Sequence, residues 1–352
     1  MKKIVFLIAH LGNGGAERVS VNLANEFAER NYDVSAIIFH KGDEEYQLIN
    51  SVKKIYLDSG KSRTNTLYKI GELRKNLKDI QPDYVIELGF AIKYIIVGGL
   101  INKYNYIFSM RNDPQMSMKN SKSVFKYFRN YYFRHAKSVV FQTEDARDYY
   151  PKDIQSKGVI IPNPIKENLP ERHIGERKHI IVAFSRLNKQ KNIPMMLDAF
   201  KLFLQDFPDY KLKIYGRGEE VENLQRYTQQ LQIENHVDFC GFSKNIHNEI
   251  LEDMMFVSSS DYEGISNSMI EALGIGMPCL CTDCPAGGAR MFIDSGVNGL
   301  LSPVGDAQKF YSNMVRMASD PELCEKFSKN AVSIKEKLSL SAICDQWEKL
   351  IK

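Results

Sequence analysis

Two doubly wound α/β domains, each a parallel sheet between layers of helices, are the fold class this sequence predicts. Three observations carry that reading. Short apolar strands alternate with amphipathic helical segments from the first residues to about 161, the pattern of a parallel sheet buried on both faces. The alternation stops at Ile161-Pro162-Asn163-Pro164-Ile165 and a charged stretch that runs to Lys178. Two prolines so close together cannot continue a helix or a central strand. At His179 the alternation begins again. A chain of 352 residues is long enough for two domains with separate cores.

In the first half the candidate strands are Ile4–Ala9, Val34–Phe39, Ile55–Asp58, Tyr84–Leu88, Tyr106–Ser109, Ser138–Gln142 and Gly158–Ile161. Helical segments fall between them. Over Gly15–Arg30, for example, Ala16, Val19, Leu23 and Phe27 recur near helical spacing. The second half repeats the scheme with strands His179–Phe184, Lys211–Tyr215, Val237–Cys240, Met255–Ser258 and Pro278–Thr282, then a turn at Asn298-Gly299. Ala331–Lys352 is helical in pattern and holds the only tryptophan, Trp347. The halves read as two copies of one architecture rather than of one sequence. In open α/β sheets ligands sit beyond the carboxyl ends of the strands, so a cleft between two such domains is the expected active site.

Composition excludes several classes. Hydrophobic content of 43% and charged content of 26% are those of an ordinary globular protein. The apolar run Ile4–Ala9 is too short for a signal peptide and meets His10, so it reads as a buried first strand. No run approaches the length that spans a bilayer. Six cysteines do not make a disulfide framework in a chain of this size. Cys279, Cys281 and Cys284 lack a second cluster that would complete a zinc site, and read as residues on and after a buried strand. The cytoplasm is the expected compartment. The net charge of +4 is unevenly placed: residues 1–170 carry 26 Lys and Arg against 18 Asp and Glu, whereas residues 171–352 carry 21 against 25. The basic half suggests an anionic partner there.

Chemistry concentrates at three places. The first is Glu263-Gly-Ile-Ser-Asn-Ser-Met-Ile-Glu271, which follows the apolar run Met255-Phe256-Val257. A strand feeding a helix through small residues presents unpaired backbone N–H groups and the positive end of the helix dipole, a seat for an anion. Glu263 lies at its mouth, and the spacing puts Glu271 about two helical turns further on, on the same side. The second is Ser185-Arg186-Leu187-Asn188-Lys189-Gln190-Lys191-Asn192. Two cations just past a strand end suit a diphosphate, Arg186 binding bidentately and Lys191 as a point charge. The third is His10-Leu-Gly-Asn-Gly14-Gly15-Ala-Glu17-Arg18, where glycines let the backbone turn sharply and approach a ligand. It is not a dinucleotide fingerprint, because Glu17 stands where the third glycine belongs. No phosphate-loop motif occurs either. An oxidoreductase and a phosphate-loop nucleotidase are therefore disfavoured.

Together these segments resemble glycosyltransferase family 4, retaining enzymes with the GT-B fold, and the resemblance runs in the right order over nearly the whole chain. It implies an acceptor-binding domain over 1–165, a linker over 166–178, a nucleotide-sugar-binding domain over 179–332, and a terminal helix over 333–352 that returns toward the first domain. It also implies roles. Arg186 and Lys191 would hold the donor diphosphate, Glu263 the hydroxyls of the donor sugar, and Glu271 the ribose. The backbone of Ser266, Asn267, Ser268 and Met269 would receive phosphate and sugar. Gly14 and Gly15 would let the first domain close on the diphosphate, with Glu17 on the acceptor or phosphate side. Many relatives carry a histidine where this chain has Arg111. An arginine there could steady a phosphate or a sugar oxygen but not shuttle a proton, or it could simply order an Arg111–Asp113 loop.

The implied reaction moves a hexose or N-acetylhexosamine from a UDP-sugar to a saccharide or lipid-linked acceptor in bacterial surface glycan synthesis. No strict D-x-D motif is present, Asp261-Tyr262-Glu263 being the nearest, so the cations rather than a metal are expected to neutralise the diphosphate; no cofactor is expected. Residues 118–137 hold Lys119, Lys122, Lys126, Arg129, Arg134 and Lys137 without one acid, interleaved with aromatics. Helical spacing groups Lys122, Lys126 and Arg129 on one face and Phe125, Phe128 and Tyr132 on another. Such a helix can lie on an anionic membrane surface, or be a core helix with a solvated basic face. The interleaving matches no nucleic-acid-binding motif. Two alternatives remain at this level: a disaccharide phosphorylase or synthase on the same fold, and a non-catalytic nucleotide-sugar-binding protein.

Overall fold

The computed structural model describes residues 1–12, 14–42, 46–58, 65–116 and 123–352, with only the backbone at 123–125. The chain parts into two compact units, Met1–Pro164 with Leu340–Lys352, and Ile165–Ser339. Each is a parallel sheet covered by helices.

The first unit holds β1 (Lys3–Ile8), β2 (Asp33–Ile38), β3 (Lys53–Tyr56), β4 (Tyr84–Glu87), β5 (Tyr106–Met110), β6 (Ser138–Phe141) and β7 (Gly158–Ile160). Their spatial order is β3-β2-β1-β4-β5-β6-β7, with every pairing parallel. In β1 every residue from Ile4 to Ile8 is buried, which is why the strand reads as a continuous apolar run rather than an alternation. The strand read at Ile55–Asp58 lies two residues earlier. The register Ser35↔Lys53 sets its start, and as an edge strand it is only partly covered.

The terminal helix Leu340–Ile351 packs within this unit against helix Gly15–Glu29. Its apolar face buries Ile343, Cys344, Trp347 and Ile351. Arg30 fastens the two helices, bonding Glu26 at 2.9 Å and Asp345 at 2.5 Å. Tyr32 donates to Glu348 at 2.7 Å. Residues 333–339 group with the second unit.

Helix Ser123–His135 departs from the faces read in the sequence. Arg129 is buried, its guanidinium 4.5 Å from the Tyr150 ring centroid, and Tyr132 and Phe133 are fully buried. The exposed aromatics are Tyr127, Phe128 and Tyr131. An arginine can bury its stem and stack its planar head on an aromatic face, so basic character does not by itself place it in solvent. Lys119, Lys122 and the Phe125 side chain lie outside the described residues. Among the described residues no helix is long and apolar enough to cross a membrane.

The second unit holds β8 (Lys178–Phe184), β9 (Lys211–Tyr215), β10 (Val237–Gly241), β11 (Asp253–Ser258), β12 (Cys279–Thr282) and β13 (Leu300–Ser302). The order is β10-β9-β8-β11-β12-β13, again all parallel. This repeats the winding of the first sheet: outward from the founding strand, then back to its other side. The return creates a switch point at β8/β11, where the loops after two adjacent strands diverge and leave a crevice. The core beneath it is built from Met255, Val257, Leu212, Ile214, Phe200 and Phe203. Cys279 and Cys281 lie buried within β12.

Candidate active site

The switch point of the second unit assembles the two most charged segments of the sequence. Leaving β8, the chain turns through Ser185–Asn188, makes one 3-10 turn over Lys189–Lys191, and enters helix Ile193–Asp206. Asn192 caps that helix, its Oδ1 accepting from the Met195 N–H at 3.4 Å. Leaving β11, the chain runs through Ser259–Ser266 into helix Asn267–Gly274.

The two loops are bonded together. Ser259 Oγ donates to the carbonyls of Lys191 and Asn192 at 2.8 and 3.0 Å. Asn192 Nδ2 donates to Asp261 at 2.6 Å, the Asp261 N–H to the Gln190 carbonyl at 2.9 Å, and Gln190 Nε2 to the Tyr262 carbonyl at 2.8 Å. From the other side the Glu263 N–H donates to the Pro285 carbonyl at 2.8 Å. Loops held in this way keep their functional groups in place before a ligand arrives.

Lys191 and Glu263 form an ion pair inside this frame, with side chains only 12% and 21% exposed. The sequence reading gave them separate tasks; the fold brings them into direct contact. Arg186 stands on the exposed part of the same strand exit. Glu263, Gly264, Ser266, Met269, Ser260 and Thr282 bound a small pocket at the N-terminus of helix Asn267–Gly274. Ser266 occupies the cap position, and its hydroxyl does not cap the helix. It lies instead 3.0 Å from the Ser268 hydroxyl. Cys284 also lines the pocket. Burial, with the Glu263 charge close by, pushes its thiol up to about 12, so it stays protonated and is a poor nucleophile.

Glu271 departs from the sequence reading. Residues 263–266 are loop and the helix starts only at Asn267, so Glu271 is one helical turn in, not two turns beyond Glu263. It is buried and accepts a hydrogen bond from His247 Nε2 at 2.9 Å. The sequence reading missed His247, which carries no local signal.

Three glycines were missed as well. A Cβ on Gly216 would lie 1.8 Å from the Ser185 carbonyl oxygen, and one on Gly218 2.0 Å from that of Leu187. The Gly216-Arg217-Gly218 turn thus presses against the backbone that carries Arg186. A Cβ on Gly288 would lie 1.7 Å from the Gly264 carbonyl oxygen, so the turn after β12 supports the Glu263 loop in the same way. A strand followed by Gly-x-Gly or Gly-Gly was the available signal.

The remaining candidates belong to the first unit. Gly14 caps helix Gly15–Glu29, and the Glu17 carboxylate rests so close that a Cβ on Gly14 would lie 1.9 Å from it. Arg111 follows β5. Its Nη1 donates to Asn163 Oδ1 at 2.6 Å and its guanidinium lies 5.6 Å from the Trp347 ring centroid. It makes no bond to Asp113, whose Oδ1 accepts from the Met116 N–H at 2.6 Å. Burial pushes the Arg111 guanidinium down to about 9. Its Nε and Nη2 are covered and have no partner among the described residues. Arg111 therefore ties Asn163 to the terminal helix rather than ordering an Arg111–Asp113 loop.

Two family models divide the chain between them. Residues 13–169 match Glycosyltransferase Family 4, and residues 164–333 match Glycosyl transferases group 1. The chain belongs to glycosyltransferase family 4 and has the GT-B fold. This glycosyltransferase is 25% identical over its full length to the whole of an uncharacterized glycosyltransferase of Haemophilus influenzae. It is 26% identical, over all of its length and 98% of the relative, to an α-1,4-N-acetyl-D-galactosaminyltransferase of Campylobacter jejuni that acts on an undecaprenol-diphosphate-linked saccharide. Among solved structures it resembles Anabaena HepE in complex with UDP and glucose, with a TM-score of 0.82 and 19% identity over 99% of both chains. It also resembles a Staphylococcus aureus TarM mutant with bound UDP, with a TM-score of 0.81 and 14% identity over the whole of both. At such identities the structures speak to the fold alone.

Proposed function

We propose that this glycosyltransferase moves a hexose or N-acetylhexosamine from a UDP-sugar to a saccharide or lipid-linked acceptor in bacterial surface glycan synthesis, with retention and without a metal. The observation that carries the reading is the bonded pair of loops at β8/β11. It pairs Lys191 with Glu263, which lines a pocket at the N-terminus of helix Asn267–Gly274, and Arg186 leaves β8 exposed on the same loop as Lys191. Fixed cations and a helix N-terminus stabilise a departing diphosphate without reorganising. The relatives support the setting. The Campylobacter jejuni enzyme extends an undecaprenol-linked glycan, an Erwinia amylovora relative is named for amylovoran biosynthesis, and HepE and TarM bind UDP.

In this reading Arg186 and Lys191 hold the diphosphate and Glu263 orients Lys191 while accepting from a donor-sugar hydroxyl. Glu271, steadied by His247, takes the ribose. The acceptor hydroxyl attacks C1 on the face from which the diphosphate leaves. The C1–O bond to the diphosphate breaks as the new C1–O bond forms, and the acceptor proton passes to the leaving phosphate. The glutamates serve as hydroxyl ligands, not as an acid–base pair. Tyr127, Phe128 and Tyr131, exposed beside Arg134 and Lys137, form the face that would rest on an anionic membrane surface near a lipid-linked acceptor.

A thermal-shift screen against UDP, GDP, ADP and their sugars tests the donor assignment. UDP or a UDP-sugar should raise the melting temperature in the presence of chelator, and Arg186→Ala should weaken that binding at least tenfold. Unchanged UDP affinity in Arg186→Ala would remove the diphosphate assignment. Turnover abolished by chelator and rescued by manganese would remove metal independence.

A further inference from the structure

The pocket at the N-terminus of helix Asn267–Gly274 lies between two strand exits. Ser260, Glu263 and Gly264 come from the loop after β11, and Thr282 and Cys284 from the end of β12 and its loop. The two exits are clamped together. Thr282 Oγ1 donates to the Ser260 carbonyl at 2.6 Å, and a Cβ on Gly288 would lie 1.7 Å from the Gly264 carbonyl oxygen. Walls fixed at both points resist spreading for a larger group. The cavity measures about 10 Å³, and one water needs on the order of 10–15 Å³. It has room for a single hydroxyl-sized group.

Ser260 marks what that group is. It is 2% exposed, and its Oγ is covered without a hydrogen-bond partner among the described residues. A buried hydroxyl left unpaired is costly, and folded chains keep few of them. Burial holds the Cys281 and Cys284 thiols protonated, so of the side chains that line the cavity Glu263 alone carries a charge. A phosphate is too large for the space and would meet a carboxylate. A neutral hydroxyl fits it, and can accept from Ser260 while donating to Glu263.

We propose that this cavity takes the C2 hydroxyl of the donor sugar, and that Ser260 thereby restricts the donor to a hexose and excludes the 2-acetamido sugars. The inference rests on the donor reading above and narrows it. The sugar is joined to the diphosphate through C1. With the diphosphate at the helix N-terminus, the hydroxyl nearest to that end of the helix is the one on C2, and the cavity lies there. An acetamido group is far larger than a hydroxyl and has no space to enter. The same pocket therefore rewards the hydroxyl with a partner and rejects its bulky replacement.

Isothermal titration of the full chain tests this with UDP, UDP-glucose, UDP-galactose, and the 2-acetamido and 2-deoxy analogue of each sugar. The better-binding hexose should bind the parent at least tenfold more tightly than its 2-acetamido analogue. It should bind about tenfold more tightly than its 2-deoxy analogue, the usual effect of one lost hydrogen bond. Ser260→Ala should bind the hexose and the 2-deoxy sugar equally, with UDP affinity unchanged. Its melting temperature without ligand should not fall, because the substitution removes an unpaired hydroxyl and no bond. A 2-acetamido sugar bound by the parent as tightly as the hexose would overturn the proposal. So would equal binding of hexose and 2-deoxy sugar by the parent, the mark of a cavity that holds water alone. A Ser260→Ala chain that melts lower and still separates the two sugars would overturn it too, since that is a structural role. UDP bound with none of these sugars bound would overturn it and leave the nucleotide assignment intact. Failure of the parent to bind UDP or any of its sugars would instead strike the donor reading on which it rests.

Discussion

Glu87 offers a quantitative check on how the first unit holds its strand ends. It closes β4, is fully buried, and accepts a hydrogen bond from the Ala91 N–H. The turn so fastened carries Phe90. Burial pushes the Glu87 carboxyl up from 4.5 to about 7, against the opposing pull of the Ala91, Gly89 and Phe90 N–H groups. Because the folded-state value is raised, the native chain keeps a proton that the unfolded chain has lost as pH rises from 4.5 to about 7. Stability therefore falls through that window and levels off above it. A rise of this size corresponds to roughly 3 kcal/mol at about 1.4 kcal/mol per unit. Glu87→Gln keeps the acceptor for Ala91 and removes the charge. Guanidinium unfolding is followed through the fluorescence of the single tryptophan, Trp347, which lies in the first unit with Glu87. Between about pH 5 and about pH 8.5 the stability difference between variant and parent should move by roughly 3 kcal/mol in favour of the variant. Any constant cost of the amide cancels in that comparison. A difference that stays the same at both pH values would refute the argument.

Three other outcomes follow from single contacts. Gly288→Ala puts a methyl group 1.7 Å from the Gly264 carbonyl oxygen, so backbone must move; the UDP-induced thermal shift should be lost while circular dichroism is retained, and an undiminished shift would contradict the support assigned to that turn. Lys191→Met leaves the Glu263 carboxylate without its cation beside the pocket; isothermal titration should show UDP bound more than tenfold more weakly, while the melting temperature without ligand changes little. Arg30→Ala removes charge-assisted bonds to Glu26 and Asp345 and should cost about 1–2 kcal/mol in the same Trp347 fluorescence assay, since Asp345 is 61% exposed and an exposed pair contributes only about 0.2–1 kcal/mol while the covered Glu26 bond contributes more; an unchanged midpoint would show that these ion pairs do not hold helix Leu340–Ile351.

The architecture was legible because both sheets are parallel and covered on both faces, so their central strands are unbroken apolar runs. Legibility failed at the edges. β3 has Lys53 and Lys54 exposed and is placed by pairing with β2, not by burial, so the apolar signal at Ile55 pointed two residues late. β13 has three residues and registered only as the turn before it. Helix phase was ambiguous wherever aromatic and basic residues interleave: Arg129 counts as a surface cation in any periodicity, yet its guanidinium is stacked on the Tyr150 ring.

The candidate site divides in the same way between local and non-local information. Arg186, Lys191 and Glu263 were visible because each follows a strand end within a few residues, and chain proximity to a strand's carboxyl end is a property of the sequence. Their mutual contact was not, because it joins residues 72 positions apart through the pairing of β8 with β11. The same holds for His247, 24 residues from the Glu271 it supports. Gly216, Gly218 and Gly288 show the limit most clearly. Each follows a strand and could be seen to permit a close approach, but what approaches is the backbone of a neighbouring strand's exit loop, fixed only by sheet order. Sheet order in turn follows from the outward-and-back winding that both units share. Once that winding is known, the loops that must meet at a switch point can be named from the sequence: the exits of the founding strand and of the strand that returns beside it. In the second unit those exits carry Arg186, Lys191 and Glu263, and in the first His10, Glu17 and Phe90. The two sets occupy equivalent places at the switch points of one repeated winding.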